Sequence, residues 1–142
     1  MKKIACLIII LFSLTTFAQQ KGDTIIANNP SNLKLKVLYF HVTNRCATCR
    51  SIEANVRKTL NDYFLNKIEL GTIDFYVVNC ELPENKELAK KYDAYGATLA
   101  ITSYMNGKEA RTEDLSNWAF QKAHDAEVFV AELKTKIEDY IK

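Results

Sequence analysis

The chain has 142 residues, with 19 basic and 17 acidic side chains and a formal net charge of +2 at pH 7. This length fits a single domain with one hydrophobic core. Because the basic residues alternate with acidic ones along the chain, the sequence gives no indication of a nucleic-acid-binding surface. It has only four glycines, and they form no phosphate-binding loop.

The first 18 residues have the order of a secretory signal peptide. A basic start, Met1–Lys3, precedes an almost wholly apolar run from Ile4 to Leu14, and Ala18 is a small residue at the expected cleavage site. The apolar run is shorter than the roughly 20 residues needed to span a bilayer. We therefore expect a periplasmic or secreted protein without stable membrane insertion after cleavage. Residues 19–142 would then carry 17 basic and 17 acidic side chains.

The next segments lead to a pair of cysteines. Residues 19–32 are polar and are predicted to form a flexible arm, with a short edge contact at Ile25–Ile26. From residue 33 the pattern alternates and then becomes continuously apolar to residue 42, which predicts a strand buried on both faces. This strand leads directly to Cys46-Ala-Thr-Cys49, and a helix with an apolar stripe follows.

A strand that ends in Cys-x-x-Cys and continues as a helix is typical of dithiol redox proteins. The N-terminus of a helix has unpaired N–H groups and a partial positive charge, which stabilise a thiolate. Arg45 and Arg50 flank the pair and add positive charge. We expect Cys46 to be the nucleophile and Cys49 to be the resolving thiol.

A structural disulfide is the alternative interpretation of an exported cysteine pair. Such a bond stabilises most by closing a long loop, whereas Cys46 and Cys49 would close almost none. Because Cys6 falls within the predicted signal peptide, Cys80 is left without a partner. Cys80 follows the second strand, and two interpretations stay open: a buried, inert residue, or a third thiol within reach of Cys46.

The rest of the chain predicts three further strands, two helices and a hairpin turn. They are a strand at Ile73–Val78, a short helix from Pro83 to Tyr92, a strand at Thr98–Tyr104, a hairpin at Asn106–Gly107, a return strand at Lys108–Arg111, and a final helix from Asp125. Residues 112–124 are predicted as a loop with a helical turn around Trp118.

This order of elements, with Cys-x-x-Cys between the first central strand and its helix, resembles the thioredoxin family. The resemblance covers roughly residues 33–141 and implies an α/β, single-domain, thioredoxin-like fold at residues 33–142, with a central mixed β-sheet flanked by helices. Cys46 and Cys49 match the redox pair of that family. The segment Gly96–Leu99 matches the one that approaches the disulfide, so Ala97 and Thr98 are implied substrate contacts.

A narrower resemblance is carried by His41–Cys49. This stretch is similar to small exported bacterial proteins that are labelled ArsF-type nitrophenyl compound nitroreductase subunits. That label names no chemistry that follows from these residues.

The chain departs from the thioredoxin pattern at three positions. Ala97 stands where the family has a cis-proline, and we expect a trans bond there because a non-proline cis bond costs about 2.5–4 kcal/mol. Phe40 stands where many members have a buried acid, so no carboxylate there can take the proton of Cys49. Arg45 replaces the usual tryptophan and should favour the Cys46 thiolate.

Together these features predict a thiol–disulfide oxidoreductase that works through a mixed disulfide and needs no organic cofactor. Its expected partners are protein or small-molecule thiols and disulfides and a membrane or periplasmic redox partner. One alternative is a binding protein that holds copper(I), zinc or a trivalent arsenical through Cys46, Cys49 and Cys80. The other is a non-catalytic redox-partner subunit with a vestigial disulfide.

Overall fold

The structure is a computed structural model that describes Thr24–Ile25 and residues 32–142. Its elements, in chain order, are β1 (Thr24–Ile25), β2 (Leu35–His41), α1 (Ala47–Glu69), β3 (Ile73–Asn79), a 3₁₀ turn (Pro83–Asn85), α2 (Lys86–Lys91), β4 (Thr98–Met105), β5 (Lys108–Asp114), α3 (Ser116–Lys122) and α4 (Ala126–Ile141). The predicted signal peptide lies outside the described residues, so cleavage and export stay predictions.

The strands form one mixed sheet in the order β1-β3-β2-β4-β5. The central strand β2 pairs in parallel with β3, where Leu35 lies opposite Ile73, and antiparallel with β4, where Phe40 lies opposite Thr98. The edge strand β1 pairs antiparallel with β3, so the short edge contact predicted at Ile25–Ile26 is formed one residue earlier, at Thr24–Ile25. Because β2 is central, its C-terminal end lies between its two neighbours, next to the start of β4.

Both faces of the sheet are covered, as the continuous apolar run of β2 predicts. On one face, Val37 and Tyr39 belong to a large buried cluster that includes residues from α1, α3 and α4. On the other face, Leu38 and Phe40 belong to a smaller cluster with Ala89 of α2. Alternate residues of one strand therefore contact different helices, and the helix that follows the cysteines packs on the Tyr39 face.

The helix after the cysteines, α1, has the apolar stripe that the sequence predicts. Ile52, Val56 and Leu60 are buried at helical spacing, and the stripe continues beyond Phe64 to Ile68. This amphipathic face holds α1 against the sheet and against α4, whose Phe129, Leu133 and Ile137 are buried.

The hairpin prediction is confirmed, whereas the prediction for residues 112–124 is right only in part, because the helical turn expected around Trp118 is present but is longer than expected. Asn106 and Gly107 have φ angles of 52° and 73°, as a tight hairpin turn requires. The return strand extends to Asp114, and Ser116–Lys122 forms a helix. Strand β5 is exposed along its length and α3 has only seven residues, so neither has a strong hydrophobic period. The Trp118 ring packs 4.7 Å from the Phe129 ring of α4, a contact that local sequence does not reveal.

The predicted fold class is confirmed. Strand order, parallel β2–β3 pairing across α1, the antiparallel β4–β5 hairpin and helices on both faces define a single-domain α/β structure with the thioredoxin-like fold. None of the helices in the described part of the chain is long and apolar enough to cross a bilayer.

Candidate active site

Cys46 is the N-cap residue of α1, with extended backbone angles of φ −73° and ψ 168°. Its sulfur accepts a hydrogen bond from the backbone N–H of Cys49 at 3.2 Å. An N-cap side chain satisfies one of the free N–H groups at the start of a helix, and here that side chain is a thiol. Cys46 is exposed to solvent, whereas Cys49 is half-buried. The predicted helix-start position of the pair is therefore confirmed.

The two thiols have opposite electrostatic environments. The pKa of Cys46 is lowered, first because the Cys49 thiol donates a hydrogen bond to its sulfur, and then because the backbone N–H groups of Cys49 and Thr48 point at it. The pKa of Cys49 is raised, mainly because it is partly removed from solvent and then because of the same thiol–thiol hydrogen bond. The sequence predicts Cys46 as the nucleophile and Cys49 as the resolving thiol, and that assignment stays a prediction.

Arg45 and Arg50 both contact groups next to the cysteine pair. The Arg45 guanidinium forms an ion pair with Glu53 and lies 5.5 Å from the centre of the Tyr39 ring. Arg50 donates a hydrogen bond from Nη1 to the backbone oxygen of Arg45 at 2.5 Å. The largest causes of the lowered pKa of Cys46 are the hydrogen bonds that Cys49 makes to its sulfur.

Tyr39 and Glu53 contribute to the site and were not identified from sequence. The Tyr39 hydroxyl donates a hydrogen bond to the backbone oxygen of Cys49 at 2.7 Å. Glu53 also accepts from Arg57 Nε at 2.7 Å, one helical turn further on. Only the Glu53–Arg57 spacing, four residues on one helix, was a readable signal; Tyr39 had the pattern of an ordinary core residue.

His124 also reaches the dithiol motif. Its Nε2 lies 3.1 Å from Oγ1 of Thr48, one of the two residues between the cysteines. His124 belongs to the short link between α3 and α4, 76 residues later in the chain. No sequence pattern connects these two positions, and the packing of α3 and α4 against α1 brings them together.

Ala97 and Thr98 lie at the start of β4, next to the C-terminal end of β2, from which the chain continues to Cys46. Thr98 is opposite Phe40 in the register of the two strands, and Ala97 packs half-buried against the larger cluster. The described residues contain no cis peptide bond, so the bond before Ala97 is trans, as predicted. Phe40 is fully buried and belongs to the cluster on the α2 face, opposite the face on which α1 packs.

Cys80 lies on the α2 face and is not grouped with the pair. Its backbone N–H and its thiol both donate to the backbone oxygen of His41, at 2.9 and 3.2 Å. Burial raises its pKa, and its side chain packs against the smaller cluster. Across the described residues, no three His, Cys, Asp or Glu side chains form a group that could hold a metal ion. Cys46, Cys49 and Cys80 are therefore not brought together as one group here.

Comparisons with known proteins find similarity at the level of structure. No protein-family model matches the chain, and no curated protein sequence matches it. Among solved structures, thioredoxin from Fasciola hepatica is 21% identical, with 75% of this chain and 83% of that chain covered and a TM-score of 0.43. Thioredoxin O2 from Arabidopsis thaliana in its oxidised state is 18% identical, with 77% and 76% covered and a TM-score of 0.46.

A third solved structure, a mutant thioredoxin from Halobacterium salinarum NRC-1, is 19% identical, with 79% of each chain covered and a TM-score of 0.45. The chain is similar in structure to these three proteins. The thioredoxin-like fold of this chain is defined by its own strand order and helix placement.

Proposed function

We propose that this chain is a thiol–disulfide oxidoreductase whose redox pair is Cys46 and Cys49. The single observation that carries the proposal is the asymmetry of the two thiols. Cys46 is exposed at the start of α1 with a lowered pKa, whereas Cys49 is half-buried with a raised pKa. An exposed thiolate beside a protected second thiol is the arrangement that disulfide exchange requires.

The reaction consists of two exchange steps. The Cys46 thiolate attacks one sulfur of a substrate disulfide, a new S–S bond forms, and the other substrate sulfur leaves as a thiolate. Cys49 then loses its proton to water and attacks the Cys46 sulfur, which releases the second substrate thiolate and closes the Cys46–Cys49 disulfide. Two electrons pass from the protein dithiol to the substrate, and both released thiolates take up protons from solution.

The reverse reaction uses the same residues. An oxidised Cys46–Cys49 pair accepts two electrons from a substrate dithiol, and no organic cofactor takes part in either direction. The net direction follows from the reduction potential of the pair relative to its partner. The substrates we propose are protein or small-molecule thiols and disulfides, and a membrane or periplasmic redox partner returns the pair to its starting state.

Export is part of this proposal. The basic, apolar and small-residue order of residues 1–18 supports cleavage after Ala18 and a location in the periplasm or outside the cell. Mass spectrometry of the native protein tests it: an N-terminus at Gln19 in the exported fraction is expected. Retention of residues 1–18 in that fraction would contradict cleavage.

The narrower resemblance to ArsF-type proteins stays a prediction. The activity proposed here is based on the dithiol, and a nitroreductase label adds no residue to it. A non-catalytic subunit with a vestigial disulfide is the outcome to be excluded by experiment.

A single-turnover assay tests the activity. Reduced protein is mixed with a fluorescent disulfide-linked peptide in the absence of any other reductant, and peptide release is followed. Cys46→Ser should abolish release, and Cys49→Ser should stop after the first step with the peptide bound to Cys46. Cys80→Ser is the matched control and should react like the wild type. If Cys46→Ser reacts as fast as the wild type, the proposal is wrong.

A further inference from the structure

The side chain of Tyr39 connects the central strand to the helix turn that holds the resolving cysteine. Tyr39 is completely buried, so its ring is fixed by the core. Its hydroxyl donates to the backbone oxygen of Cys49 at 2.7 Å, and burial raises its pKa to about 12, so it stays a hydrogen-bond donor at neutral pH. This hydrogen bond joins the first turn of α1 to β2, in addition to the hydrogen bonds within the helix.

Arg45 links this tyrosine to the other side of the dithiol motif. It directly precedes Cys46, and its guanidinium lies over the Tyr39 ring, 5.5 Å from the ring centre. The same guanidinium forms an ion pair with Glu53, which follows Cys49 by four residues on α1. Arg45 therefore contacts both Tyr39 of the central strand and Glu53 of α1.

Glu53 is held in this position from two sides. Besides Arg45, the Nε of Arg57 donates to it at 2.7 Å, and the Arg57 guanidinium lies 5.3 Å from the centre of the Phe75 ring in the sheet. The Glu53 side chain is only 15% exposed. Its pKa is lowered: burial opposes the ionised form, but hydrogen bonds from Arg57 and Arg45 outweigh burial, so the ion pair persists at neutral pH.

We propose that Tyr39, Arg45 and Glu53 are positioning residues for the exchange reaction, and we call them the Tyr39 network. They hold the backbone before Cys46 and the turn at Cys49 in one fixed arrangement. This inference rests on the proposed function. It concerns the second step, in which the Cys49 sulfur attacks the Cys46 sulfur and the bond from Cys46 to the substrate breaks.

The network acts by raising the effective concentration of the Cys49 thiol near Cys46. A reacting group that is already oriented loses less freedom on reaching the transition state, and small displacements of such a group are costly. The effective concentration of the Cys49 thiol also sets the equilibrium constant for oxidation by glutathione. In that reaction the dithiol and one glutathione disulfide give the Cys46–Cys49 disulfide and two glutathione thiols. A looser turn therefore slows resolution and also makes the disulfide easier to reduce.

The test compares two tyrosine variants that each lose a hydroxyl. Tyr39→Phe keeps the buried ring but removes the bond to Cys49, whereas Tyr76→Phe removes a hydroxyl that donates to Asp74 at 3.1 Å elsewhere in the sheet. For Tyr39→Phe we expect the glutathione equilibrium constant to fall by on the order of tenfold, which is about 30 mV toward a more oxidising potential. We also expect its mixed disulfide with glutathione to last longer. Tyr76→Phe should match the wild type in both measurements.

Glu53→Gln is a second variant, at the more exposed end of the network. If Tyr39→Phe fails to fold, the same two measurements on Glu53→Gln test the inference. It removes the charge that orients Arg45 and should shift the equilibrium in the same direction by a smaller factor. A purely structural role would lower the melting temperature of Tyr39→Phe and leave its equilibrium constant and mixed-disulfide lifetime unchanged, which would overturn the inference alone. A wild type that forms no Cys46–Cys49 disulfide with glutathione would overturn the proposed function as well.

Discussion

Thr48 and His124 are hydrogen-bonded, Oγ1 to Nε2, at 3.1 Å, although 76 residues separate them in the chain. The adjacent residue in the same link, Ala123, accepts a hydrogen bond from Asn55 Nδ2 at 3.0 Å. The segment between α3 and α4 is therefore bonded to α1 at two places, one within the dithiol motif and one two turns along the helix. The position of the cysteine-bearing helix thus depends on the C-terminal helices as well as on the sheet.

The Asn55 bond should contribute measurably to stability. Asn55 and Ala123 are both buried, so Asn55→Leu would leave the Ala123 carbonyl without a partner in the core. An unsatisfied buried polar group costs about 1–3 kcal/mol, and we expect the free energy of unfolding to fall by that amount in urea titrations. Asn117→Ala, at an exposed position on α3, is the control and should stay within about 0.5 kcal/mol of the wild type. Equal stability of the two variants would contradict this prediction.

The elements that could be predicted from sequence have strong local signals. The apolar run of β2 and the Asn106–Gly107 turn each specify their structure within a few residues. The helix α3 could not be predicted in the same way, because the burial of Ala119 and the packing of Trp118 depend on α4. Its seven residues have no apolar stripe long enough to distinguish a helix from a loop.

The same limit applies to the site. The roles proposed for Cys46 and Cys49 follow from their spacing and from the helix that begins between them, both of which are local. The ion-pair partner of Arg45 depends on the tertiary structure. Cys46 and Glu53 are both near Arg45 in sequence, but the guanidinium lies over the Tyr39 ring and pairs with Glu53. Glu53 and Arg57 are four residues apart, which indicated an ion pair but not its link to the cysteines.

Selective alkylation should identify Cys46 as the reactive thiol. Because its pKa is lowered, its reaction with iodoacetamide should reach half of its maximum rate below the pH of about 8.5 that is usual for a free cysteine. Burial raises the pKa of Cys49 and of Cys80, so both should react more slowly at pH 7. Mass spectrometry of the reduced protein after a short pulse measures the three sites separately. Faster labelling of Cys49 than of Cys46 would be inconsistent with the assigned roles.

Cys80 should behave as a core residue. Cys80→Ala removes a half-buried thiol and its bond to the His41 carbonyl, and we expect a loss of about 1 kcal/mol in the free energy of unfolding. The rate of disulfide exchange and the reduction potential of Cys46–Cys49 should stay nearly unchanged, because Cys80 lies on the opposite face of the sheet from α1.

A competition titration with a copper(I) chelator gives an independent measurement on the same variant. We expect the reduced wild type and Cys80→Ala to bind copper(I) equally, since Cys80 is not grouped with the pair. Affinity at least tenfold weaker in Cys80→Ala, about 1.4 kcal/mol, would instead indicate a third sulfur ligand.

The ion pairs of Glu53 should make stability depend on pH in a defined direction. Its pKa in the folded protein is lower than the value of about 4.3 expected in the unfolded chain, so the folded state favours the ionised carboxylate. This contribution is fully present above the unfolded pKa and is lost as the pH falls through the folded pKa, because the carboxylate is then protonated in both states.

The measurement is the difference in the free energy of unfolding between the wild type and Glu53→Gln, taken by urea titration from pH 7 to pH 3. We expect the wild type to be the more stable protein at pH 7, with a difference that is constant down to about pH 5 and shrinks below it. Asn117→Ala removes no ionisable group, and its difference from the wild type should be the same at every pH. A Glu53→Gln difference that grows as the pH falls would mean that burial, rather than Arg45 and Arg57, decides the ionisation of this carboxylate.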